Sequence, residues 1–267
     1  MSAKNTKGDA RAAAKAKAQA QVRAKERRTT MMIIAGSVVG LVLFGGLIFF
    51  IVNQSKVPEL GAEGATAPAA ADATGGIPVG TGGVVGEDVP VDVPRVDVYL
   101  DFMCPICGTF EAINADDLNE LREAGDIALY YHPISILDRF SSGTEFSTRS
   151  AGAAGVVADQ APEYFNDFMA TMFANQPEEN TTGLSDDEIA DLASLVGIPD
   201  DVVANLDDTD FKKWATAATQ QASVDGMQGT PTVRVSESGD FADGAILEDV
   251  NYFEEGVLKA YLEGLGS

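Results

Sequence analysis

A chain of 267 residues with a net charge of −23 and 45% hydrophobic residues has room for one large domain or two small ones. The charge is divided along it. Residues 1–30 hold nine Lys/Arg against Asp9 and Glu26, a balance of +7, so the remainder carries −30 and argues against nucleic acid as a partner.

The basic residues 1–30 read as a cytoplasmic tail that sets topology, with a lipid-surface helix over 11–28 as the alternative. Met31 to Val52 follows without a single charge. As a helix it would be roughly 33 Å long, enough for a bilayer core of about 30 Å. A buried core helix would not be apolar on every face, and a cleaved leader has a shorter apolar run. The small-residue sites Ala65-Thr66-Ala67 and Ala69-Ala70-Ala71 also lie well beyond its end. The segment is therefore expected to be an uncleaved, single-pass anchor at the cell membrane. The basic flank puts the N-terminus in the cytoplasm and the rest outside. Residues 53–86, dominated by Gly, Ala, Thr and Pro, are expected to be a flexible linker with a root-mean-square span of about 30 Å.

Residues 87–267 suit one domain. Val96–Asp101 (VDVYLD) reads as a strand, and a helix is expected from Cys104 to about Glu123, ending before Gly125. Ile127–His132 reads as the next strand, stopped by Pro133. Helices are expected over 146–158, 162–175, 185–196, 200–206 and 210–224, with Ser185 and Glu188 spaced as a capping box. Thr232–Val235 and 244–247 read as a hairpin, and 251–262 as the closing helix. The order βαβ, helices, ββα places strands at both ends of a helical insertion over about 140–226.

The two cysteines of the chain sit together as Cys104-Pro105-Ile106-Cys107. Such a pair closes almost no loop, so it contributes little as a structural staple. A zinc site wants about four ligands, and His132 is the one histidine. Redox chemistry fits better. Cys104 follows a strand and opens a helix, where Pro105 suits the first helical position and free amides stabilise a thiolate. Cys104 is then the nucleophile, and Cys107, one turn further in, the resolving thiol.

Asp101-Phe102-Met103-Cys104-Pro105-Ile106-Cys107 resembles the active-site segment of DsbA-type thiol–disulfide oxidoreductases of the thioredoxin superfamily. Gly229-Thr230-Pro231-Thr232 before Val233-Arg234-Val235 matches that family's cis-proline loop, expected to lie opposite the cysteines and bind substrate. The resemblance implies a thioredoxin-like α/β fold with a DsbA-like helical insertion, here preceded by a single transmembrane helix. It implies no cofactor beyond a redox-active Cys104–Cys107 disulfide, with Pro105, Ile106 and Asp101 as supporting residues. The pattern is departed from in two respects: Val98 stands where many relatives carry a buried acid, and Pro105-Ile106 lacks the histidine of strongly oxidising members. Asp101 reads at least as well as a strand-end residue capping the next turn as it does as a proton carrier, and strand alternation puts Asp97 and Asp101 on one face.

His132 is expected to hydrogen-bond at a strand edge, and Trp214, Phe165, Phe168 and Phe173 to lie in the core. The acidic groups at 178–179, 186–188 and 207–208 lack the spacing of a calcium loop and read as solvated helix ends. The expected function is introduction of disulfides into exported proteins. The anchor and outward domain resemble the membrane-anchored thiol oxidases of actinobacterial envelopes, implying exported protein thiols as substrates and a membrane quinone-linked oxidase as recycling partner. An outward-facing reductase or disulfide isomerase would use the same residues, and a non-catalytic envelope-protein binding module is the reading of another class.

Overall fold

The computed structural model describes residues 59–61 and 64–265; the basic tail, the expected anchor and the start of the expected linker lie outside them. Among the described residues no helix is long and apolar enough to cross a membrane.

At the centre stands a five-stranded sheet. Its strands are β1 (Ile77–Val79), β2 (Arg95–Leu100), β3 (Ala128–Pro133), β4 (Thr232–Ser236) and β5 (Ala245–Ile246), in spatial order β1-β3-β2-β4-β5. β2 and β3 are parallel, and every other pairing is antiparallel. The parallel pair is joined by helix α1 (Pro105–Ala124). A parallel pair needs such a crossover, and it carries Cys104 to the end of β2. Pro105 occupies the first turn of α1, and Gly125 ends it at φ 77°, donating its N–H to the Leu121 and Arg122 carbonyls. A residue with a Cβ resists that left-handed conformation.

Between β3 and β4 the chain inserts α2 (Phe146–Gln160), α3 (Phe165–Ala174), α4 (Asp186–Leu195), α5 (Asp200–Val203) and α6 (Thr209–Val224). Small residues of α2, among them Ala151, Ala154 and Val157, are fully buried, as are Trp214 and Ala215 of α6. Phe165, Phe168 and Phe173 are buried too, in the places their spacing suggested. Ser185 caps α4 as expected: its hydroxyl accepts from the Glu188 amide, and the Glu188 carboxylate accepts from the Ser185 amide. Ser185→Ala is expected to cost about 1 kcal/mol, read as a lower denaturation midpoint at unchanged slope.

Two expectations are corrected. The linker assigned to residues 53–86 is in its later part folded structure: Ile77, Val79 and Val85 are buried, and β1 pairs with β3 through Ile77↔Tyr131. Its three residues, with Pro78 in the middle, are too few to show a period, and their partners lie some fifty positions away. The folded body therefore begins before residue 87. The last helix, α7, spans Val257–Leu265 rather than starting at Asn251. Asn114 Nδ2 donates to the Tyr252 carbonyl at 2.9 Å, which holds Tyr252 in a turn ahead of the helix.

Candidate active site

Cys104 is the N-cap of α1, with φ −82° and ψ 111°, and Cys107 lies within the first turn. Both are free thiols, Cys104 4% exposed and Cys107 completely buried. Ile106, between them, is 53% exposed, so the approach to Cys104 has an apolar rim. The Thr230–Pro231 peptide bond is cis. This loop, 126 residues away in sequence, sets the Thr230 carbonyl 3.3 Å from Cys104 Sγ, within reach of the thiol proton. Tyr252 Oη, 3.4 Å from the Pro231 carbonyl, braces the loop from behind. The structure thus brings Cys104, Cys107, Pro105, Ile106, Thr230 and Pro231 into one place.

The two thiols are made unequal. Cys104 is lowered to about 6, first by a hydrogen bond from Cys107, then by the Thr230 side chain and the Cys107 and Ile106 amides, all against burial. The Thr230 hydroxyl is buried without a hydrogen-bond partner, in the residue whose carbonyl lies 3.3 Å from Cys104 Sγ. Cys107 is driven well above the ordinary thiol range by burial, then by the charge and hydrogen bonding of Cys104. A buried thiol keeps its proton, while one at a helix N-terminus surrounded by donors releases it.

Asp101 is fully buried, and its backbone carbonyl accepts from the Cys104 amide at 2.9 Å. Its Oδ1 accepts from the Met103 amide at 2.9 Å and the Ser147 hydroxyl at 2.7 Å, and its Oδ2 from the Leu137 amide at 3.0 Å. These three bonds tie the loop before Cys104 to the β3–α2 connection and to α2. Burial nonetheless raises the carboxyl to about 7 against those donors. Asp97, expected on the same face, belongs to a separate network. There it meets His132 Nε2 at 2.8 Å and Arg95 Nη2 at 2.6 Å, and His132 stacks on Tyr99 at 4.1 Å. His132, next to last in β3, does hydrogen-bond as expected, and its partner is the buried Asp97 of the neighbouring β2.

Glu111 escaped the sequence reading. It is 8% exposed on α1, its Oε1 has no partner, and burial raises its carboxyl to about 7. Its charge is felt at Tyr131 of β3. In the structure position 111 falls on the stripe formed by the buried residues 107, 114, 118 and 121, which its acidic side chain disguises in the sequence. Ser147 was missed for a different reason: nothing local marks one buried serine in a run of small residues.

A thiol pair of unequal acidity at a helix start, opposite a cis-proline on a βαβ core, defines a thiol–disulfide oxidoreductase. Residues 87–241 match the family model described as Thioredoxin, and the chain belongs to that family. Among solved structures it is similar to the reduced disulfide bond oxidoreductase DsbG of Mycobacterium tuberculosis, at 28% identity and a TM-score of 0.53, covering 64% of this chain and 77% of that one. It is also similar to reduced DsbA of the same organism, at 26% identity and a TM-score of 0.56, covering 71% of this chain and 91% of that one. Among curated proteins it is 30% identical over 148 residues to the serine/threonine-protein kinase PknE of M. tuberculosis, a match over 52% of this chain. The matched stretch is 26% of the length of that kinase.

Proposed function

We propose that this chain is a membrane-anchored, extracytoplasmic disulfide donor acting on the thiols of exported proteins, with Met31 to Val52 as its anchor. The observation that carries the reading is the lowered pKa of Cys104 at the start of α1, beside a fully buried Cys107. A stabilised thiolate favours the reduced pair and makes its disulfide a stronger oxidant.

In the oxidising direction a substrate thiolate attacks Cys104 Sγ of the Cys104–Cys107 disulfide. Cys107 leaves and takes up a proton, since its buried site disfavours the thiolate. A second substrate thiolate then attacks the substrate sulfur of the mixed disulfide, and Cys104 departs as the thiolate its surroundings favour. Two electrons have passed from substrate to the cysteine pair, and a membrane quinone-linked oxidase would remove them. The Thr230 backbone beside Cys104 suits pairing with an extended substrate segment.

One observation favours a weaker oxidant, a reductase or an isomerase: neither Pro105 nor Ile106 places a positive charge between the cysteines. The test is the reduction potential of the full chain in glutathione buffers. The expected value lies well above thioredoxin's, about −270 mV, and toward that of DsbA, about −120 mV. A value at or below thioredoxin's would overturn the donor reading in favour of an outward-facing reductase.

A further inference from the structure

We propose that Gln176, from the helical insertion, is a positioning residue that sets the reactivity of Cys104 by gripping the two backbone carbonyls around it. Its Nε2 donates to the Phe102 carbonyl at 2.9 Å and to the Cys104 carbonyl at 2.8 Å, so both amide hydrogens are engaged. The inference rests on Cys104 being the exchanging sulfur.

Gln176 follows the C-cap of α3, and its own amide donates back to the Phe173 carbonyl at 3.3 Å. Phe173 stacks on Phe102 at 4.8 Å, so ring and amide together seat the end of α3 on the loop before Cys104. The approach needs a residue without a side chain on α1. A Cβ at Gly108 would stand 2.5 Å from Gln176 Oε1, closer than such atoms come. The glycine immediately after Cys107 thus leaves room for the amide.

The grip acts on the thiolate in two ways. It fixes the peptide units on either side of Met103-Cys104, those of the Phe102 and Cys104 carbonyls, so that the backbone carrying Sγ is held at the start of α1. It also adds a third donor, at 2.8 Å, to the Cys104 carbonyl, which accepts from the Cys107 and Gly108 amides at 2.9 and 3.3 Å. A carbonyl with its negative end well bonded opposes a neighbouring thiolate less. The insertion is thereby coupled to the chemistry of the pair and not only to the stability of the fold.

The test titrates the Cys104 thiolate by ultraviolet absorbance in the full chain, comparing wild type with Gln176→Met and Gln176→Glu. Met keeps the length and loses the donor; the Glu carboxylate turns a donor into an acceptor. Both are expected to raise the Cys104 pKa, and Glu to cut the thiolate fraction below the midpoint by about tenfold. Gly108→Ala, which pushes the amide aside in a helix that tolerates alanine, is expected to raise it too, and to add nothing in a Gln176→Ala background. It carries the same test should a Gln176 variant lose its fold. A merely structural contact would lower the melting temperature and leave the pKa where it is, and that result would overturn the proposal. Exchange of wild type with oxidised glutathione is followed alongside. If Cys104 does not exchange at all, the reading of the site fails; if it exchanges and the variants titrate like wild type, only the role of Gln176 fails.

Discussion

Cys107→Ser is expected to leave a protein that attacks disulfides and does not let go of them. Cys104 keeps its place at the start of α1, beside the Thr230 carbonyl at 3.3 Å, so the first exchange still proceeds. The resolving sulfur is gone, and the buried position admits no outside thiol in its place. With oxidised glutathione, mass spectrometry should show a mixed disulfide on Cys104 at close to one per chain, with multiple-turnover exchange at background. Part of the lowering of Cys104 comes from the Cys107 thiol, so the attack should also slow at neutral pH unless the serine hydroxyl replaces that bond. Cys104→Ser should give neither adduct nor turnover, since Cys107 is buried and keeps its proton. In wild type the alkylation rate of Cys104 should climb through a midpoint of about 6, with Cys107 silent across the same range. Equal reactivity of the two thiols would contradict the asymmetry on which the mechanism stands.

Glu111→Leu is expected to stabilise the fold, against the usual direction of core substitutions. The folded chain holds the Glu111 proton up to about 7, whereas an unfolded glutamate releases it near 4.3. Between those values the folded state binds more protons than the unfolded one, so stability falls as pH rises through that window. Above it, an ionised carboxylate sits buried with its Oε1 unpartnered, at a cost of about 3 kcal/mol. Leucine removes that cost. Denaturant titrations should show a gain of about 2–3 kcal/mol near pH 8, little change near pH 4, and a flatter profile between. A loss of stability at both ends would mean that the carboxyl is engaged after all. Asp101, raised to about 7 by the same burial, should leave a residual slope of the same sign in the variant. It does not invite the same substitution, because the Met103 and Leu137 amides and the Ser147 hydroxyl would lose their acceptor. An orphaned buried donor costs about 1–3 kcal/mol.

What the sequence determined by itself is what neighbouring residues decide among themselves. The Cys-Pro-Ile-Cys run at a strand-to-helix junction, the Pro105 start and Gly125 stop of α1, and the Ser185–Glu188 cap each depend on a few adjacent positions. All were legible for that reason. The length of chain between Cys107 and Pro231 likewise announced an insertion. Only the tertiary structure decided what depends on partners distant along the chain. Residues 77–79 read as linker, because three residues carry no period; pairing with β3 makes them a strand. Glu111 reads as one more surface acid until α1 packs over Tyr131. Gln176 is an ordinary polar residue before a proline until folding brings it to the carbonyls of Phe102 and Cys104, more than seventy positions away. Local propensity and capping fix the elements within reach of a few bonds. The Thr230 and Gln176 contacts around Cys104 come from closing long loops, and no short window of sequence encodes which ends will meet.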